Sequence, residues 1–437
     1  MKLELAERLS GLLNESLKKE NDLKAWRFDL HELKGLEIGL KNNQIGGPYS
    51  APSYKRSISG ELYLIWDGHK YTSTKLDAKV IDSFDENLVL WKKTAYYDMD
   101  GVPLYHPEDI PTVQLLDGYV TEIIDRNFET PFQLMSKGLK RLGDFGMDKI
   151  SGKVKCYQNH RSLRNSDGLR VEFPQTAVEF FFQVNDSYGE SYQEKKWPEE
   201  AEIDMKVNKT AEIGALLSKN AEVAISGQVK LIFPPDVFES FAGYFLLSNL
   251  YGSLVVNRQS AYSLDSFKEK RQVLRDDLSL EINNLLPFRS FSYRCTSEGV
   301  PGGMIRLISK GKLQTPILNL KYAGKSGFNP TPLPLGGRGF FLKPEGSMPT
   351  FEELISKTDL GLIVYSVLGL HTQDASSGNF SLTADQCLLV KNGMIAGKVK
   401  AAINGNFLNS LAEKTTEFAT VQGEDNPACL FLANANT

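Results

Sequence analysis

Histidine is the scarcest of the side chains that could do chemistry in this chain: five occur, at His31, His69, His106, His160 and His371. Zinc-assisted hydrolysis needs two imidazoles one helical turn apart, with a carboxylate as base, so that both rings reach one ion. The His-Glu pair His31-Glu32 is followed by Gly35 and Leu36 where a second imidazole would stand, so no site closes there. The four cysteines, Cys156, Cys295, Cys387 and Cys429, form no Cys-x-x-Cys pair and no close-spaced framework, as expected of a reducing compartment. The densest run of potential donors and acceptors is 368–381, LGLHTQDASSGNFS. It reads as a strand ending in His371-Thr372, a turn from Asp374 to Gly378, and a new strand from Asn379-Phe380-Ser381. Such a run either lines a cleft or holds its own turn together.

Two glycine-rich stretches invite a nucleotide reading and fail it. Gly324-Lys325-Ser326 has Asn319 where a phosphate loop needs glycine, and Phe328-Asn329-Pro330 follows where a helix should begin. Leu335-Gly336-Gly337-Arg338-Gly339 runs into Phe340-Phe341 and then Lys343-Pro344. Both are expected to be loops. No Gly-x-Ser-x-Gly elbow is present.

The elements that must position these residues are legible from periodicity. Leu5, Leu9, Leu12, Leu13 and Leu17 recur at helical spacing, interrupted by charges that exclude a signal peptide. Residues 36–90 carry short alternating pieces, with a break at Gly46-Gly47-Pro48 and a hairpin around Asp67-Gly68. A short helix is expected before Gly143 and Gly146, a second hairpin around 185–189, and a polar helix over roughly 200–220. GQVKLIFPP reads as a strand stopped by Pro234-Pro235, and DVFESFAGYFLLSNLYG as a buried helix ending near Gly252. Beyond it β-type segments dominate, with hairpins at Lys310-Gly311 and Asn392-Gly393. The pattern predicts an α+β fold: a mixed helix and antiparallel-sheet domain over 1–220, and a β-rich domain with one central helix over 221–437.

Composition narrows the function classes. The 437 residues are 41% hydrophobic and 24% charged, enough for a large core. Fifty Lys+Arg against 54 Asp+Glu give a net charge of −4, which speaks against a protein built to neutralise phosphates, so nucleic acid is not an expected partner. The most apolar stretch, 361–370, is about half the length of a bilayer crossing. A cytoplasmic protein without a membrane span is expected.

The run 368–411 resembles the C-terminal signature of the TldD/TldE (PmbA) family. The matching residues are His371, Thr372, Ser377, Gly378, Asn379, Phe380, Ser381, Asn392, Gly393, Gly405 and Asn406. Glu298-Gly299 before a strand and Arg164-Asn165-Ser166-Asp167-Gly168 upstream extend the likeness over nearly the whole chain. Asp374-Ala375 and Lys398 depart from the family's Asn-Pro and proline. The family implies two kinds of subunit. TldD-type members resemble metallopeptidases, with His-Glu-x-x-x-His on the central helix and a later cysteine ligand; TldE-type members lack the motif and pair with the first kind. The corresponding helix here, residues 236–251, contains no histidine. The resemblance therefore implies a TldE/PmbA-like, non-catalytic subunit, with no metal in this chain and zinc only on a TldD-like partner. It implies that His371, Thr372, Asp374, Gly378, Asn379, Phe380 and Ser381 line a shared peptide cavity. Glu298, Gly299, Asn392, Gly393, Gly405 and Asn406 would be structural turns. A stand-alone peptide-binding or scaffold homodimer is the alternative expectation.

Overall fold

Leu23–Lys41 shows why one half of the chain forms a large sheet. Trp26, Phe28 and Leu30 alternate with Arg27, Asp29 and His31, so one face of the strand is apolar and the other polar. The computed structural model describes all residues except Met1, Tyr49, 102–103, 106–108, Asn127 and Val223, so His106 lies outside the described residues. The chain divides into two units. One comprises Met1–Gln183, Glu190–Asn208 and Leu285–Gly302, the other Val184–Gly189, Lys209–Asn284 and Gly303–Thr437.

In the first unit, Leu23–Lys41 pairs antiparallel with Ser53–Trp66 on one side and Ile150–Asn165 on the other. They form the middle of an eight-stranded sheet. The helix Lys2–Lys19 lays Ala6, Leu9 and Leu13 on Trp26, Phe28, Leu30, Leu62 and Leu64. That is the stripe its leucine spacing anticipates. The hairpin at Asp67-Gly68 forms, with Trp66 opposite Lys70. The polar face of the central strand carries a buried ion pair, Asp29 with Arg161, at 2.7 and 2.8 Å.

In the second unit five strands close into a ring: Ser226–Phe233, Leu360–Leu368, Asn379–Lys391, Met394–Asn406 and Ala428–Asn436. Closure comes from Ala402, Ile403 and Asn404 pairing with Asn436, Ala435 and Asn434. Closing a sheet this way removes open edges wherever the neighbours pair, which for Leu360–Leu368 against Ser226–Phe233 is only Gly361 to Ile363. Pro235 starts the central helix, as a fixed φ at the first helical position favours. Pro235–Phe241 then runs on as a π segment, Ala242–Leu247, and a 3₁₀ turn, Ser248–Leu250. Phe233, Phe238, Phe241, Phe245, Phe380, Phe407 and Phe431 form its aromatic packing, with centroids 4.5 Å apart for Phe233 and Phe241 and 5.5 Å for Phe241 and Phe380. A four-stranded sheet completes the unit, with Leu278–Asn283 between Met304–Ser309 and Phe340–Pro344.

The sequence reading needs two corrections here. Gly324-Lys325-Ser326 is not a loop but the end of a helix, Leu320–Ser326. Asn319 caps it by accepting from the Tyr322 N–H, and Gly327 ends it at φ 74°. The strand before the 370s ends at Leu368 rather than at His371-Thr372. Gly369 takes φ 93° and turns the chain into a single 3₁₀ turn, Leu370–Thr372.

Candidate functional site

The second unit contains a cleft of about 780 Å³ between the central helix, the end of Leu360–Leu368 and the glycine-rich turn. The helix contributes Asp236, Glu239, Ser240, Gly243 and Tyr244, and the turn contributes Gly336, Gly337 and Arg338. The strand end and following turn contribute Val367 to His371. Helical spacing explains the first set, since 236, 239, 240, 243 and 244 fall on one face. The π segment includes Gly243 and Tyr244, and such wide turns inside helices recur at functional sites.

The helix and the 370s turn are held together by side chains. The Tyr244 hydroxyl donates to the Gln373 carbonyl at 2.6 Å. Asn249, 1% exposed, donates to the Phe245 and Ala375 carbonyls, at 2.8 Å each, and accepts from the Ala261 N–H at 2.7 Å. Gln373 in turn accepts from the Ser381 N–H. Asn406 donates to the Ser377 carbonyl and to Asn379 Oδ1, and its own Oδ1 caps Phe407–Ala412 by accepting from the Asn409 N–H. Gly378 takes φ 70°, and a Cβ there would stand 2.8 Å from Leu408, so the motif's glycine is required both conformationally and sterically.

Of the residues the sequence singles out, His371 lines the cleft. Thr372 spends its hydroxyl on the Gly369 carbonyl. Asp374 accepts from the Ser376 hydroxyl and N–H, which hold its carboxyl below the usual range. Gly378, Asn379, Phe380 and Ser381 open the next strand, with Phe380 buried in the aromatic core. Gly405 pairs with Phe380 and Asn406 with Asn379, so these four residues come together. Asn392 and Gly393 form the hairpin at the other end of the same strand, bonded to the Asp359 and Thr358 carbonyls. Glu298 and Gly299 belong to the first unit, in a turn bonded to Thr296.

Sequence reasoning missed Glu239 and Tyr244, which line the cleft, and Asn249 and Asn426, which are buried and hydrogen-bond to its surroundings. Glu239 is partly buried on the central helix. Burial pushes its carboxyl pKa up, and nearby Asp236 adds to that, while the Asn426 hydrogen bond and the Arg338 charge offset part of it. Asn426, 4% exposed, donates to Glu239 Oε1 at 2.9 Å. It also caps the outer edge of Phe340–Pro344, donating to the Phe340 carbonyl and accepting from the Leu342 N–H. The single available signal was Gly336-Gly337-Arg338-Gly339, which is the loop expected and lines the cleft.

The donor set does not fit a catalytic zinc. His371 is the one imidazole among the described cleft residues, and the helix presents carboxylates, hydroxyls and a glycine. Among the described residues no three His, Cys, Asp or Glu side chains gather as metal ligands.

Residues 226–422 match the family model of the PmbA/TldA metallopeptidase C-terminal domain. An uncharacterized protein of Methanocaldococcus jannaschii is 22% identical over 341 residues, 76% of this chain and 79% of that protein. Among solved structures, TldE from Thermococcus kodakarensis superposes with a TM-score of 0.79 at 17% identity, covering 98% of this chain and 100% of that one. A candidate modulator of DNA gyrase from Thermotoga maritima gives 0.78 at 19% identity, covering 98% and 99%.

Proposed function

Because the chain belongs to the TldD/TldE (PmbA) family, we propose that it is the metal-free, TldE-like subunit of a two-subunit metallopeptidase acting on peptides. The observation that carries this reading is the cleft face of the central helix. Its described residues hold Asp236, Glu239, Ser240, Gly243 and Tyr244, without the paired imidazoles that a zinc-bound water would need. What the cleft does offer is backbone. Leu360–Leu368 pairs with Ser226–Phe233 only at Gly361, Leu362 and Ile363, because Pro234-Pro235 then diverts that neighbour into the helix. Past Ile363 no strand among the described residues pairs with that side, and Val367 and Leu368 line the cleft. An unpaired strand edge is the feature that holds an extended peptide, main chain to main chain. The chain thus supplies wall and edge, and a TldD-like partner supplies the zinc and the hydrolytic water. A cytoplasmic setting agrees with four cysteines that are all free and buried.

The test is expression of this chain alone and together with a partner carrying His-Glu-x-x-x-His, followed by peptide digestion and metal analysis of each preparation. Activity and zinc are expected only in the joint preparation. Stoichiometric zinc with hydrolysis by the solitary chain would overturn the reading, and a solitary homodimer that binds peptides and ignores the partner would favour the scaffold alternative.

A further inference from the structure

We propose that Glu239 anchors a cationic side chain, Lys or Arg, of the peptide lying in the cleft; this rests on the peptide-seat reading above and adds a specificity to it. Among the described residues Glu239 receives one side-chain hydrogen bond, from Asn426 to Oε1, and makes no ion pair. Its Oε2 takes no donor among the described residues and is not sealed from the cleft that Glu239 lines. A carboxylate drawn partly out of water without a directly bonded cation is costly, and an arriving ammonium or guanidinium relieves that cost while supplying further donors. Burial pushes the Glu239 carboxyl up in the free protein by more than the Asn426 hydrogen bond and the Arg338 charge offset.

The carboxylate is also held in place. Asn426 is buried and is fixed by hydrogen bonds in both senses: it donates to Glu239 and to the Phe340 carbonyl and accepts from the Leu342 N–H. An amide so fixed lets Glu239 lose little further freedom when a ligand arrives. Asn426 is accordingly a positioning residue for this anchor. The ionisable lining of the cleft is two carboxylates, Asp236 and Glu239, one guanidinium, Arg338, and one imidazole, His371. Arg338 stands on the glycine-rich turn, where its charge offsets part of the burial cost of Glu239, but it forms no ion pair among the described residues, so the Glu239 carboxylate keeps room for a directly bonded cation. The strand edge beside Val367 and Leu368 would hold the backbone of the peptide, and alternate side chains of an extended peptide then point to one wall.

The experiment is fluorescence anisotropy with the full chain and two labelled peptides that differ at one central position, lysine in one and norleucine in the other. The lysine peptide should bind about tenfold more tightly, the size of a charge-assisted hydrogen bond discounted for a cleft open to solvent. Added salt should shrink that preference. Glu239→Gln keeps volume and the Asn426 contact; it should erase the preference for lysine over norleucine. Asn426→Ser should reduce the preference in part. Equal binding of both peptides by the wild type, or a preference that survives Glu239→Gln, overturns the anchor and leaves the peptide seat standing. Failure of both peptides to bind overturns the seat and the anchor together.

Discussion

Asp29→Asn should destabilise the first unit by about 3–5 kcal/mol, the range for leaving one partner of a buried ion pair without its counter-charge. Asp29 is 6% exposed and Arg161 7%, and the contact is two-pronged: Nε to Oδ1 at 2.8 Å and Nη2 to Oδ2 at 2.7 Å. The remaining guanidinium nitrogen, Nη1, donates to the Cys295 carbonyl at 2.7 Å, so Arg161 cannot swing to water without breaking that bond as well. Titration gives a second route to the magnitude. Burial alone would push the Asp29 carboxyl up, but hydrogen bonds from His31 and Arg161 and the Arg161 charge overcome it and hold the pKa at about 2, from 3.8. That difference corresponds to roughly 2.5 kcal/mol. The folded pKa is depressed, so this stability is present above pH 3.8 and is lost as pH falls from there to about 2. Substitution is the harsher perturbation because an asparagine can point its own N–H groups at the guanidinium. The assay is urea unfolding followed by tryptophan fluorescence and by a second probe, at pH 7 and through pH 5 to 2. The variant should be weaker at pH 7 and should lack the part of the acid loss that Asp29 contributes. A variant within 1 kcal/mol of the wild type at pH 7, with the same acid limb, would show that the pair adds nothing.

Two further outcomes can be checked on the isolated chain. Lys195 is 6% exposed, burial pushes its pKa down to about 8, and its ammonium donates to the Ser290 carbonyl at 3.0 Å. Below pH 8 the folded state carries this poorly solvated charge, and stability should rise as pH climbs from 8 towards 10.5; Lys195→Met should gain about 2 kcal/mol at pH 7 and flatten that rise in denaturant titrations. Tyr244→Phe removes the bond to the Gln373 carbonyl and should weaken the helix–turn junction by about 1 kcal/mol, read as faster amide exchange over 369–378 with little change in the strands.

The elements that the sequence announced most clearly are those in which one physical rule dominates. The leucine stripe of Lys2–Lys19, the Asp67-Gly68 and Asn392-Gly393 hairpins and the proline stop after Phe233 each rest on a local preference, and each forms. The motif residues Gly378, Asn379, Gly405 and Asn406 were legible by type and order, and the structure gathers them. Two features were not legible because they depend on partners distant in sequence. The 19-residue strand Leu23–Lys41 is long because two neighbours pair along it, which no local window records. Gly324-Lys325-Ser326 looked like a loop because Asn319 was weighed as a missing glycine and not as a helix cap.

The same distinction separates the parts of the cleft. Thr372, Asp374, Ser376, Ser377 and Asn379 all make their hydrogen bonds inside the turn or across to Asn406. A turn so satisfied is a rigid wall, since moving it would break several bonds for each residue displaced. Rigidity of that kind suits a surface that must present a fixed edge to a peptide and undergo no chemistry itself. The opposite wall differs in one respect: Glu239 keeps a carboxylate oxygen that the protein does not satisfy. A partly buried glutamate on this helix is costly for packing, because burial opposes its charge. A cation entering the cleft would offset that cost, which is the physical ground of the proposed anchor.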